Sequence, residues 1–410
     1  MTPNLADLTT ARPIIVHSHL RWDFVWQRPQ QLFSRFARTR DVLFVEEPVF
    51  LDDAHRPVLE LLSPLPRVTR AIPRLPATYR ESESVTHTAV RTLLLEALLS
   101  GGPLGGRFDE PVQWFYTPMP APTMIGAFNE AAIVYDCMDE LAQFRFAPTD
   151  IVQRERFLLA RADVVFAGGA RLAEAKSRFH ENVHFFGCGV DAEHFGRARS
   201  DATSLAPELA DLHRPILGYI GVIDERLDYA LIAHLAESMP EAAVVMVGPV
   251  VKVDPRELPR LDNIHWFGQR KYEDLPSFIR GFDVCLMPFA LNKATEFINP
   301  TKTLEYMATG KPIVSTPVAD VVRNFTPIVS VADGTQAYAN AVRRAIANPD
   351  PVMRQLGIER TQRSSWENIT QSMTKLMEEA IVQRDRRERT TGTNRRVTTT
   401  LAERGARRAS

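Results

Sequence analysis

The chain has 410 residues, more than one hydrophobic core usually organises, so two domains of roughly 200 residues each are expected. Its 49 basic and 50 acidic side chains nearly cancel, which excludes a nucleic-acid binder with a uniformly positive surface and requires any anionic ligand to be held by a local site. With 45% hydrophobic and 24% charged residues, and no run near the roughly 18 apolar residues of a membrane span, the composition is that of a soluble globular protein.

The first residues, MTPNLADLTTARP, carry an acid and lack an apolar run of signal-peptide length, so a cytoplasmic location is expected, with peripheral attachment at the inner membrane surface left open. From residue 13, short apolar runs alternate with helical segments, the signature of parallel α/β construction. Strands are predicted at PIIVHSH (13–19), VLFVEE (42–47), VQWFYT (112–117), AIVYDCM (132–138), ADVVFAG (162–168) and NVHFFG (182–187). Helices are predicted at about 28–38, 84–99, 150–161 and 170–180. Strands this apolar are covered by helices on both faces.

GRARSDATSLAPELADLHRP (196–215) breaks the pattern and reads as a linker. Strand signals resume at ILGYIGVI (216–223), AAVVMVG (242–248), NIHWFG (263–268), FDVCLMP (282–288), PIVST (312–316) and PIVSV (327–331). The fold class expected is therefore α/β, two doubly wound Rossmann-like domains, residues 1–205 and 206–364, facing a cleft beyond the carboxyl ends of their strands. A helix at 365–383 follows, with Trp366, Ile369, Met373, Leu376 and Met377 in one stripe. Residues 384–410 hold nine Arg against three acids in RDRRERTTGTNRRVTTTLAERGARRAS and read as a disordered basic tail. Cys137, Cys188 and Cys285 show no metal-ligand spacing and are expected to be reduced thiols packed in strand runs.

Three stretches can carry chemistry. In GYIGVIDERLDYALI (218–232), Gly218 and Gly221 permit close backbone approach and Arg226 lies near the next helix, where a phosphate would meet free N–H groups and a fixed cation. In INPTKTLEYMATGKPIVST (298–316), Asn299 is expected to cap a helix that Gly310 closes, placing Lys302 and Glu305 on one face near its anion-attracting end. Lys302 suits a phosphate oxygen and Glu305 a vicinal diol. In HSHLRWDFVWQRPQQL (17–32), a dense set of polar and aromatic residues at a strand end, His19, Trp22, Asp23, Gln27 and Arg28, suits a carbohydrate or anionic acceptor. YDCMDE (135–140) adds Asp136 and Asp139 at another strand end, each suited to contact a transferred sugar or an acceptor hydroxyl. No cluster with metal-ligand character appears, so no metal is inferred.

Taken together, GYIGVIDERLDYALI, VMVG, NIHWFGQRKYEDLPSFIRGFDVCLMPF and NPTKTLEYMATGKPIVST resemble, in order, the donor domain of retaining GT-B glycosyltransferases of family 4. RADVVFAGGARLAEAKSRFHENVHFFGCGVDAEHF (161–195) is similar to that family's segment ending in Asn-Gly-Val-Asp-x-x-x-Phe, and the first 60 residues resemble a subgroup tied to bacterial surface polysaccharides. The resemblance implies a nucleotide diphosphate sugar as co-substrate and no other cofactor. It further implies a glycan or lipid-linked acceptor, retention of configuration, and a last helix crossing back to the N-terminal domain.

The resemblance also implies donor binding by Gly221, Asp224, Gly248, Gln269, Arg270, Asn299, Thr303 and Glu305. Lys302 and Arg226 would face the diphosphate; independently of the resemblance, one of Asp136 and Asp139 is expected to face the cleft at the reacting centre. The chain departs from the family in three places. Glu296 stands one position from the usual first glutamate, Arg226 replaces the usual Arg and Lys at Val222 and Leu227, and Met138 stands where a His is frequent. These departures keep two alternatives in view, a nucleotide-sugar epimerase and a GT-B scaffold without turnover.

Overall fold

The structure is a computed structural model and describes residues 11–391. The readings of the extreme N-terminus and of the Arg-rich tail past residue 391 fall outside the described residues.

Two sheets organise the chain. The first contains β1 (Ile14–Ser18), β2 (Val42–Glu46), β3 (Val49–Leu51), β4 (Val58–Leu65), β5 (Val68–Pro76), β6 (Val112–Phe115), β7 (Ala132–Cys137), β8 (Val164–Ala167) and β9 (Val183–Phe185). Its order is β3-β5-β2-β1-β6-β7-β8-β9, with β4 paired to β5. The second contains β10 (Ile216–Ile220), β11 (Ala243–Val247), β12 (Ile264–Gly268), β13 (Val284–Met287), β14 (Ile313–Ser315) and β15 (Ser330–Val331), in the order β12-β11-β10-β13-β14-β15. Their pairs are parallel, β4–β5 excepted.

The period-two pleat explains why these strands are apolar throughout. Ile14, Val16, Val42 and Phe44 point to one face of the first sheet, where they meet Trp366, Met373 and Met377. Ile15, Leu43 and Val45 point to the other, where they meet Val90 and Leu94. The helix Trp366–Thr391 therefore belongs to the N-terminal core although it follows the C-terminal domain in sequence. It also runs past the predicted end at 383: Arg384 is held by Asp163 at 2.9 Å and by Glu388 at 3.1 Å.

Two other expectations change. Residues 48–76, unassigned from sequence, form β3, β4 and β5. The 196–215 stretch is packed, with short helical turns at Arg197–Arg199 and Pro207–Leu209 and with Ala206 and Leu209 buried in the second core.

Candidate active site

A cavity of about 690 Å³ opens between the two domains. Its walls come from the residues just after β1, β7, β8 and β9 on one side and after β10, β11, β12 and β13 on the other, with residues 298–305 closing the floor. This is the carboxyl-end position expected for doubly wound sheets.

On the C-terminal side, the backbone turns sharply after β10 and β11. Gly221 (φ 144°) and Gly248 (φ 152°) occupy conformations that L residues rarely adopt. A Cβ on Gly221 would lie 1.8 Å from Lys302 Cε, and one on Gly248 would lie 1.8 Å from the Gly221 carbonyl oxygen. The two glycines thus leave a slot through which the Lys302 stem passes to the cavity. The carrying helix, Lys302–Thr309, is fixed by Tyr306, whose buried hydroxyl accepts the Ile220 N–H at 2.8 Å.

Burial pushes the Lys302 ammonium below the ordinary lysine value, opposed by Glu305, and pushes the Glu305 carboxyl above the carboxylate range, opposed by Lys302. Both groups are costly to hold charged without a partner. A dianionic phosphate and a diol are the partners they fit. Arg226 is aimed by a bidentate contact with buried Asp224 (2.7 and 2.9 Å) and lies 5.9 Å from the Phe144 ring across the cleft.

On the N-terminal side, Arg28 and Asp136 form a buried ion pair. Arg28 Nη2 donates to Asp136 Oδ1 at 2.8 Å, and Nη1 donates to the Phe186 carbonyl at 2.9 Å. Burial opposes the Arg28 charge, but Asp136 more than offsets it, so the guanidinium holds its proton more tightly than free arginine. Asp139, three residues on and just past the end of β7, lines the cavity, and its carboxylate makes no hydrogen bond or ion pair among the described residues. Burial raises its proton affinity, Arg226 and Arg28 lower it, and Asp224 adds to the rise. Trp22 is wedged against Phe44 and Trp26.

Contacts across the cleft join the two walls. Gln269 donates to the Phe24 carbonyl, Gln31 donates to the Tyr272 hydroxyl at 3.1 Å, and Asn299 donates to the Gly168 carbonyl at 3.3 Å. Tyr272 stacks on His194 (centroids 4.1 Å) and faces Trp26 at 6.1 Å.

Of the residues singled out from sequence, Gly221, Arg226, Gly248, Gln269, Arg270, Asn299, Lys302 and Glu305 line the cavity from one side, and Trp22, Asp23, Gln27, Arg28 and Asp139 from the other. Four do not. Asp136 is consumed by Arg28, and Asp224 by Arg226. Thr303 is fully buried against Met287, and its N–H is spent on the Pro300 carbonyl at 3.1 Å. His19 is not part of the cavity wall, its Nδ1 is buried and unpartnered, and burial lowers its pKa to about 4.

Several local readings are also corrected. Asn299 does not cap the helix, which starts at Lys302, and instead reaches the other domain. Arg270 lines the wall while paired with Glu208 at 3.2 Å, and Asp23 is paired with Arg70. Glu296 pairs with Arg171 at 2.9 Å outside the cavity. Cys188 is not strand packing: it lines the cavity and donates to the Asn299 carbonyl at 3.3 Å. Sequence reasoning missed Tyr272 and Tyr219 as wall residues. Tyr219 lies in the apolar run of β10 and reads as core, whereas Tyr272 lies in the polar segment after β12, where no local signal marks it for the cleft.

Two doubly wound parallel sheets facing one cleft, with a terminal helix returning to the first, constitute the GT-B fold. Sucrose-phosphate synthase from Thermosynechococcus elongatus superposes with a TM-score of 0.68 at 17% identity, over 91% of this chain and 100% of that one. A structure described as trehalose-6-phosphate from E. coli bound with UDP-2-fluoro glucose superposes with a TM-score of 0.65 at 12% identity, over 90% and 99% of the two chains. At the level of sequence, residues 214–348 match the family model described as Glycosyl transferases group 1. The Bacillus subtilis (strain 168) protein named as the teichuronic acid biosynthesis glycosyltransferase TuaH is 27% identical over 221 residues, 49% of this chain and 54% of that protein. The chain thus matches about half the length of that curated relative.

Proposed function

We propose that the protein is a glycosyltransferase of bacterial surface polysaccharide synthesis. It moves a sugar from a nucleotide diphosphate sugar to a hydroxyl of a glycan or lipid-linked acceptor. The observation that carries this reading is the convergence of Lys302, Arg226 and Glu305 on one cavity, at the strand ends where the second sheet begins its turns. The group-1 match over that same half and the TuaH likeness support it.

Each group has a stated role in this reading. Lys302 and Arg226 neutralise the diphosphate as charge develops on it, and Glu305 accepts two hydrogen bonds from the donor ribose. Asp139 orients the transferred sugar or the acceptor hydroxyl from the opposite wall, and Arg28, held by Asp136, fixes an anionic or polar part of the acceptor. The reaction proceeds with retention. The acceptor oxygen bonds to the anomeric carbon on the face from which the diphosphate departs, and a diphosphate oxygen takes the acceptor proton. Cross-cleft contacts limit water access, so donor hydrolysis without acceptor is slow.

The protein works at the cytoplasmic side of the membrane, attached peripherally. No helix among the described residues is long and apolar enough to cross a bilayer.

The test is thermal unfolding of wild type and Lys302→Ala against UDP, GDP, ADP and dTDP, each also as its sugar conjugate. A ligand at 100 times its dissociation constant adds about 2.7 kcal/mol to the folded state. One nucleoside diphosphate is expected to stabilise wild type and not the variant. Stabilisation of neither protein by any of them would overturn the reading.

A further inference from the structure

One large aromatic side chain stands almost entirely in solvent. Phe146 is 82% exposed, and its backbone sits at φ 67°, a left-handed conformation that a bulky residue adopts only at a cost. Hydrophobic burial does not hold it there, because the ring touches no core. On the facing domain, Leu291 is 57% exposed.

These two tips are neighbours across the cleft. Arg145, beside Phe146, donates its backbone N–H to Glu225 at 3.1 Å and approaches the same carboxylate with its guanidinium at 3.4 Å. Asn292, beside Leu291, donates to the Glu225 carbonyl oxygen at 3.1 Å. Glu225 therefore ties an apolar tip of each domain to one point on the rim. Next to it, Phe144 lies 5.9 Å from the Arg226 guanidinium of the cavity wall and 5.0 Å from the Lys252 ammonium. Lys252 and Lys293 are exposed and make no ion pair within 4 Å among the described residues, although Lys252 is near enough to Glu47 and Asp139 to lower their proton affinity. Glu225, which joins the tips, is itself paired with Arg145 at 3.4 Å.

We propose that this rim is the surface by which the protein meets a bilayer containing anionic lipid. Phe146 and Leu291 enter the acyl boundary while Lys252 and Lys293 lie at the headgroups. The proposal rests on the glycosyltransferase reading only for its purpose: it places the mouth of the cavity against the membrane, where a lipid-linked acceptor presents its hydroxyl. Apolar tips and unpaired cations on the same rim fit an anionic bilayer better than a soluble polyanion, which would have no use for an exposed phenyl ring.

The experiment uses the full chain and vesicles of phosphatidylcholine with and without phosphatidylglycerol, prepared with dibrominated acyl chains. A Phe146→Trp variant is compared with Val352→Trp, which probes another exposed position, 61% accessible, on the far helix Pro351–Arg363. Fluorescence is read as the difference from wild type, which has five tryptophans. Bromine quenching is expected for Phe146→Trp on anionic vesicles and not for Val352→Trp. The double variant Phe146→Ser with Leu291→Ser should lose vesicle partitioning by on the order of tenfold or more, with unchanged nucleoside diphosphate binding in solution.

Vesicle sedimentation that persists without quenching at position 146 would overturn the proposal and show attachment through another part, such as the Arg-rich C-terminal segment. Unchanged partitioning of the double variant would do the same. Loss of nucleoside diphosphate binding is read separately, without vesicles: its absence in wild type sinks the enzyme reading while quenching still supports the membrane face.

Discussion

Gly221 shapes the C-terminal wall of the cavity by what it lacks. Because a Cβ there would overlap the Lys302 stem at 1.8 Å, Gly221→Ala must displace Lys302 or open the turn. Its expected effect on nucleoside diphosphate affinity is that of Lys302→Ala itself, the loss of a charge-assisted bond, roughly tenfold to a hundredfold. Nucleoside affinity should be nearly unchanged in Lys302→Ala, and calorimetry showing equal losses for nucleoside and diphosphate would remove Lys302 from the phosphate site. A second prediction at this scale concerns protons. His17 is buried, bonded to Gln113 Oε1 at 2.9 Å, and burial lowers its pKa from 6.5 to about 4. The folded state therefore binds fewer protons than the unfolded state between those values. Stability present at pH 7 is lost as pH falls from 6.5 towards 4, by up to ~3 kcal/mol for this group. Denaturant midpoints measured across that range should fall with pH, and less steeply in His17→Gln; equal slopes would show that His17 is not the source.

At the scale of elements, the helix Lys302–Thr309 was legible because its signals are local: an apolar stripe and Gly310, which does take the left-handed C-terminal conformation at φ 66°. Its start was misread, because Asn299 is a good cap in isolation but is drawn to Gly168 of the other domain, a contact no local rule contains. β4 and β5 were hidden for another reason. Their stretch, VLELLSPLPRVTRAIPRLP, carries prolines at 64, 66, 73 and 76, which normally argue against strands. Pro64 lies in β4, an antiparallel edge strand with a register shift between Leu62 and Leu65, the setting in which proline is tolerated, whereas Pro73 and Pro76 lie in β5, which pairs with β2, β3 and β4. The docking of the Lys302 helix was not readable either, since Tyr306 looks like an ordinary core aromatic until its hydroxyl is seen on the Ile220 N–H. Removing that hydroxyl in Tyr306→Phe leaves a buried N–H without its acceptor, which should cost about 1–3 kcal/mol. Because the same helix carries Lys302 and Glu305, nucleoside diphosphate binding should weaken along with stability. Full affinity in a destabilised Tyr306→Phe would show that the helix is positioned by other contacts.

For the whole molecule, the α/β alternation revealed two sheets and a cleft, because strands buried on both faces leave continuous apolar runs. What joins the two halves depends on pairs more than a hundred residues apart, such as Gln31 with Tyr272 and Asn299 with Gly168, and these spacings carry no sequence signal. The terminal helix is the exception. Its stripe announced a buried face, and the structure shows that this face completes the first domain: Trp366, Met373 and Met377 pack against Ile14, Val16 and Trp114, and the indole fills space that a side chain on Gly189 would enter at 2.6 Å. The chain thus passes through the second domain and returns, so the two domains are linked twice. If the helix serves the first domain's core, Trp366→Ala should destabilise that domain by about 3–5 kcal/mol, the usual cost of emptying a buried indole site. Hydrogen exchange would then accelerate in β1, β6 and β7 while β10, β11 and β13 stay protected, and nucleoside diphosphate binding at Lys302 would survive while transfer to acceptor fails. Equal acceleration in both sheets would mean that the two domains unfold as a single unit, and the helix would then be a clamp on the whole molecule and not a part of one half.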